Sequence, residues 1–201
     1  LSPISRRITL ENKYDVIYID PPWKYGSRGV RSGMYGELDY NSLNIDDIKR
    51  MDIPSIANDS CAIFMWFTGS FHREAGLICD HWGFHKQRID KVWIKKKSKG
   101  GRHGVVGPWG MSDAEFLLLA TKGNMCSKQT QRNQFVTQEC EYPNEHSRKP
   151  DIFRKQIEDR FDWAKRIELF ARGGYEGWDV WGKDAVDPVN IDMWKEDNMD
   201  G

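Results

Sequence analysis

Asp20, Pro21, Pro22 and Trp23 follow directly on an apolar run, Tyr14 to Ile19, and their side chains suit one chemistry well. An aromatic amine is a poor nucleophile because its lone pair is delocalised into the ring. Acceptors placed at the amino hydrogens draw the nitrogen toward tetrahedral geometry and stabilise positive charge as an electrophile arrives. Asp20 can supply one acceptor, and the Pro21 carbonyl another without a competing N–H donor. Pro22 stiffens the turn, and Trp23 can stack on a planar base, a contact worth roughly 1–3 kcal/mol. Such a base must be single-stranded or flipped out of a duplex. The same residues also suit a plain strand-end turn, with Asp before Pro as a breaker and the tryptophan in the core.

The elements that must hold these residues are legible as alternating strands and helices. Val16 to Ile19 is a short strand, and Cys61 to Phe67 (CAIFMWF) is a continuous apolar run of the kind covered on both faces. Glu115 to Ala120 and Arg166 to Phe170 read likewise, and Arg88 to Ile94 reads as a strand with Val92 and Ile94 alternating against charged neighbours. Asn44 or Asp46 can cap a short helix ending near Met51. Ser70 to Trp82 carries a helical stripe of Phe71, Ala75, Ile78 and Cys79, and Pro150 opens a helix that runs to about Asp162. Residues 95–111 read as a basic, glycine-rich loop, 122–149 as an irregular insertion, and 184–201 as an acidic tail. The pattern predicts a single domain, a three-layer α/β/α sandwich with ligands at the carboxyl edge of its sheet.

Thirty basic and thirty acidic residues give the chain a formal net charge of zero, so affinity for nucleic acid must come from local patches. One patch is evident. From Lys86 to His103 there are eight lysines and arginines against one acid, Asp90. With Trp109 beyond it, the patch predicts a phosphate track using Lys95, Lys96, Lys97 and Arg102. Cys61, Cys79, Cys126 and Cys140 are scattered without metal-ligand spacing, so neither a metal site nor a disulfide scaffold is expected. No signal peptide or membrane-length apolar run is visible, which predicts a cytoplasmic protein.

The chain closely resembles the MT-A70 family of adenine N6-methyltransferases. The resemblance rests on DPPW in order with CAIFMWFTG at Cys61 to Gly69, WGF at Trp82 to Phe84, VWIKK at Val92 to Lys96, HSRKPD at His146 to Asp151 and RIELFAR at Arg166 to Arg172. It spans Tyr14 to Gly182. It implies S-adenosylmethionine as cofactor and a Rossmann-like fold whose catalytic strand precedes its cofactor strand in sequence, with the glycine-rich tract after Phe170 in the expected place. By motif, Asp20 and Lys149 would touch the cofactor, Lys149 at its carboxylate end. Glu168, Phe170 and Arg172 would line its site from the last strand, and Lys183 and Asp184 stand where relatives carry Asn and Gln. Lys24, Tyr25 and Tyr35 fall in the loop resembling the substrate gate, with Gly26, Gly29 and Gly33 allowing closure, and Glu115 resembles a residue near the substrate. His146 is expected to order its loop, and either Glu11 or a backbone group stands in for an upstream acid that relatives carry, or the cofactor's adenine is held differently.

The expected activity is methyl transfer to adenine N6 in DNA, favoured because no target-recognition domain or zinc module is visible. RNA is the alternative substrate. A non-catalytic nucleic-acid-binding scaffold is the alternative role, and a homodimer or an accessory subunit is a further expectation.

Overall fold

Tyr14–Ile19 forms strand β1, and its alternation divides the protein into layers: Ile17 and Ile19 enter one apolar cluster, Val16 and Tyr18 the other. The computed structural model describes residues 13–25, 42–107, 109–127, 135–142 and 148–194. In chain order the elements are β1, helices α1 (Ile45–Arg50) and α2 (Ile53–Ile56), β2 (Ala57–Phe67), α3 (His72–His81), β3 (Lys86–Lys96), β4 (Val105–Gly107), β5 (Gly110–Ser112), β6 (Ala114–Lys122), β7 (Thr137–Glu141), α4 (Asp151–Arg160), β8 (Arg166–Leu169) and β9 (Asp179–Trp181). A seven-stranded sheet runs β7-β3-β6-β2-β1-β8-β9, and β4 and β5 make a separate hairpin. Only β6 runs antiparallel to its neighbours β2 and β3; β1 is parallel to both β2 and β8.

The first cluster joins β1 and β2 to α1 through Ile48 and to α3 through Ala75, Ile78 and Cys79. The second joins the opposite face to α4 through Phe153 and Ile157. Helix α1 starts where a capping box closes it: the Asn44 side chain accepts from the Asp47 N–H, and the Asp47 carboxylate accepts from the Asn44 N–H. Burial pushes the Cys61 thiol up to about 12, in keeping with a core side chain.

Several sequence expectations are corrected. On β3 the buried residues after Ile89 are Asp90, Lys91, Trp93 and Lys95, while Val92 and Ile94 are half-buried, the reverse of the expected alternation. The cause is a register shift between Ile89 and Lys91, since one extra residue in a strand exchanges its faces. Residues 95–111, expected as a loop, hold the β4–β5 hairpin, and β7 lies inside the expected insertion. The acidic tail is no free appendage as far as Trp194. Met193 is buried in the first cluster, its carbonyl accepts from the Asp52 N–H at 2.9 Å, and Trp194 bridges to Met51.

Candidate active site

Strands β1, β2 and β8 end side by side at Ile19, Phe67 and Leu169. The chain leaves β1 through helices on one face and reaches β8 through α4 on the other, so the β1–β8 boundary is the point where an open sheet forms a crevice. Asp20 stands at the head of β1 there. The turn after it is closed by its own backbone: the Trp23 N–H donates to the Pro21 carbonyl at 2.9 Å. The Leu43 N–H donates to the Pro22 carbonyl at 2.8 Å, and the Lys24 N–H to the Leu43 carbonyl at 3.1 Å.

A row of four charges crosses this edge. Lys149 Nζ donates to Asp20 Oδ2 at 2.6 Å and lies 3.2 Å from Glu115 Oε2, while Lys95 Nζ lies 2.5 Å from Glu115 Oε1. The antiparallel β6 makes this possible, because its first residues lie beside the last residues of β3, with Glu115 opposite Trp93. The Lys149 and Lys95 side chains are only 10% and 9% exposed, so neither cation is free in solvent. Burial raises the Asp20 carboxyl above its ordinary range, and the Lys149 charge only partly opposes that. Burial also works to raise Glu115, but Lys149 and Lys95 together outweigh it and hold the group below the usual range. Burial acts to lower Lys149, and its two carboxylate partners overcome this and raise it. Buried charges cost several kcal/mol each to desolvate, so such a row is a poor device for stability and makes this edge a candidate site for chemistry.

Trp23 is placed differently from the expectation that it stacks on a base. It is 9% exposed, its ring stacks on Phe71 at 4.8 Å, and its indole N–H donates to the Trp66 carbonyl at 3.0 Å. Its packing holds the turn, and Tyr25 is the more exposed aromatic ring beside it. Tyr25 is 53% exposed, meets Phe71 edge-on at 5.0 Å, and shares a 2.9 Å hydrogen bond with Thr68. Burial raises its phenol, the hydrogen bond with Thr68 opposes that, and the charges of Glu115, Lys149 and Asp20 also act on it.

On the β8 side, Ile167 and Leu169 enter the first cluster and Glu168 faces the other way, as alternation predicts. Glu168 is already engaged: its Oε2 accepts from Arg154 Nε at 2.8 Å, and the Arg154 guanidinium lies 3.3 Å over the Tyr175 ring. Burial raises the Glu168 carboxyl, with Arg154 opposing. Phe170 adopts φ 58°, a strained conformation for a bulky side chain, right where β8 ends. Gly182, at φ 155°, brings the end of β9 against this turn so closely that a Cβ would lie 2.8 Å from the Ala171 nitrogen. Arg172 follows, and its charge helps hold Asp20 ionised. Lys183 and Asp184 are exposed in the turn after β9.

The expected phosphate track divides. Lys95 leaves it for the ionic row. Lys96 pairs with Glu139 at 3.2 Å and Arg102 with Asp113 at 2.8 Å, while Lys97 and Lys99 are exposed. Lys24 is exposed beside the turn, and Trp109 stands at the hairpin tip. Tyr35, Gly26, Gly29, Gly33, His146 and Glu11 lie outside the described residues. Sequence reasoning missed Thr68, Trp66 and Arg154. Arg154 was within reach, since it lies on the first turn of α4 on the same apolar stripe as Phe153 and Ile157. Among the described residues there is no group of three or more His, Cys, Asp or Glu that could hold a metal ion, and no helix is long and apolar enough to cross a membrane.

The MT-A70 family profile matches residues 14–184. The chain is similar to the type II methyltransferase M.MunI of Mycoplasma sp, 32% identical over 192 residues that cover 87% of this chain and 79% of that one. It is also similar to the N(6)-adenosine-methyltransferase MT-A70-like protein of Arabidopsis thaliana, 29% identical, with 87% and 24% covered. A third relative is the human N(6)-adenosine-methyltransferase catalytic subunit METTL3, 29% identical, with 82% and 27% covered. The chain thus spans about a quarter of the plant and human proteins.

Proposed function

The chain belongs to the MT-A70 family, and on that premise we propose that it transfers a methyl group from S-adenosylmethionine to N6 of adenine in DNA. The observation that carries this reading is the Asp20 carboxylate at the head of β1, fixed through one oxygen by Lys149 beside the Pro21 carbonyl. We read β1 as the catalytic strand and β8 as the cofactor strand of a Rossmann-like fold, an order permuted along the chain.

The bound cofactor supplies an electrophilic methyl group on a sulfonium. The protein has the other tasks. Lys149 occupies Asp20 Oδ2 and so leaves Oδ1 to accept one amino hydrogen of the base. The Pro21 carbonyl spends one lone pair on the Trp23 N–H and keeps the second for the other hydrogen. Together they stabilise the positive charge that develops on the nitrogen, and the nitrogen then loses a proton to water or to Asp20. The raised Asp20 carboxyl is a better proton acceptor than an ordinary one. Tyr25 offers a face to the base. Arg172, Glu168, Phe170, Lys183 and Asp184 would hold the cofactor, and Lys149, with N–H groups on Asp20 and Glu115, would have a third to offer its carboxylate.

A pH profile follows from the ionic row. Asp20 must be ionised to accept, and a carboxyl with a raised pKa begins to protonate at a higher pH than usual. The rate therefore falls with acid through a limb lying above the ordinary carboxylate range. Lys149→Met removes the charge that opposes burial and moves that limb to higher pH. Glu115→Gln removes a repelling charge and moves it lower. Single-turnover rates measured against pH on all three proteins check the signs, and limbs that move together would exclude Asp20 as the titrating group.

We favour DNA because the type II methyltransferase M.MunI is 32% identical to the chain, against 29% for the plant and human N6-adenosine enzymes. The test is transfer of labelled methyl to single-stranded DNA, duplex DNA and RNA of mixed sequence, with the product nucleoside identified by mass. N6-methyladenine in DNA supports the proposal, and product in RNA alone overturns the choice of polymer. Silence on all three despite measured cofactor binding favours a scaffold or a missing accessory subunit.

A further inference from the structure

We propose, resting on the reading just given, that the β4–β5 hairpin is a wedge whose Trp109 enters a base stack and opens duplex DNA beside the candidate active site. Trp109 is 98% exposed, Val106 73% and Met111 65%, an apolar projection on a ribbon that has no third strand among the described residues. Its root is fixed to the site by several independent ties. The His103 N–H donates to the Lys95 carbonyl and the Lys95 N–H to the Asp113 carbonyl, both at 2.8 Å. The His103 ring stacks on Tyr142 at 4.3 Å, and Tyr142 stacks in turn on Trp93 at 5.9 Å. Lys95 and Glu115, which flank that root, belong to the ionic row that ends on Asp20.

The occupant follows from charge and from need. Lys97 and Lys99 are exposed cations at the root of the hairpin, where Arg102 pairs with Asp113, and exposed charge of that sign suits phosphates flanking a base stack. An adenine paired within a duplex cannot present its amino group to Asp20 until it leaves the stack. Apolar side chains pushed between base steps unstack them, and an indole ring recovers part of the lost stacking.

Kinetics and fluorescence of the full chain test this together. The substrates are a matched duplex, the same duplex with the target adenine opposite an abasic site, and the single strand, each also made with 2-aminopurine at the target. Trp109→Ala should lower the matched-duplex kcat/KM relative to that on the single strand by about tenfold. The abasic duplex should recover most of that ratio, and Trp109→Phe should lie between. Binding of the parent chain should brighten 2-aminopurine in the matched duplex, and Trp109→Ala should abolish the rise. An unchanged ratio, or a parent chain that leaves 2-aminopurine dim, overturns the wedge. So does a Trp109→Ala chain whose defect matches the loss of a dimer, because the tip would then belong to a second copy. A parent chain that brightens the probe yet methylates no DNA upholds the wedge and overturns the proposed reaction.

Discussion

Replacing Asp20 with alanine lowers the rate of methyl transfer by at least about 10²-fold. On the proposed mechanism the Asp20 carboxylate at the head of β1 is the charged acceptor, and its interaction with the amino group strengthens only as charge develops on the nitrogen. The loss should therefore fall on kcat and kcat/KM alike, with little change in KM. The substitution leaves the rest of the ionic row in place, since Lys149 keeps Glu115 and Glu115 keeps Lys95. Cofactor binding, measured by calorimetry, and the melting temperature should change much less than the rate. Asp20→Asn refines the test: the amide retains an acceptor oxygen but cannot take a proton, and its NH₂ opposes Lys149. Rates within a few-fold of the parent for both variants would remove Asp20 from the mechanism.

Arg160→Met has the largest expected effect on stability. Arg160 Nη1 and Nη2 donate to the two oxygens of Asp90 at 2.6 and 2.7 Å, and both side chains are buried between α4 and the sheet. Removing the guanidinium strands a carboxylate in the interior, which costs roughly 3–5 kcal/mol. For a chain of this length the melting temperature drops by on the order of 10 °C. Asp90→Leu in the same chain relieves most of that, because two apolar side chains need no partner. A double variant no better than Arg160→Met alone would assign the cost to lost packing against Phe64, over whose ring the guanidinium lies at 5.0 Å. The pair stands away from Asp20, so transfer measured well below the melting temperature should be retained.

The contrast between these two sites reflects what a sequence carries. Asp20 is legible because everything that places it is local: an apolar strand sets the direction, and two prolines end it. The opposite facing of Glu168 from Ile167 and Leu169, the capping of α1 and the stripe of α3 are legible for the same reason, as short-range patterns. The order of the motifs, read as a resemblance, pointed to the family in the same way.

The partners of those residues were decided by the tertiary structure. Lys95 read as a phosphate contact because it lies in a basic run. A register shift on β3 turned it inward, and the antiparallel β6 brought Glu115 across to meet it. Trp23 read as a stacking platform, but Phe71 and the Trp66 carbonyl, each more than forty residues away, claimed its ring and its N–H. Met193 read as part of an acidic tail, and the cluster around α1 buries it. A local pattern determines which way a side chain points relative to its neighbours. Whether it then meets solvent, an opposite charge or a ring depends on strand register and on chain that returns from far away. Those are set by the packing of the whole domain, which no short window of sequence contains.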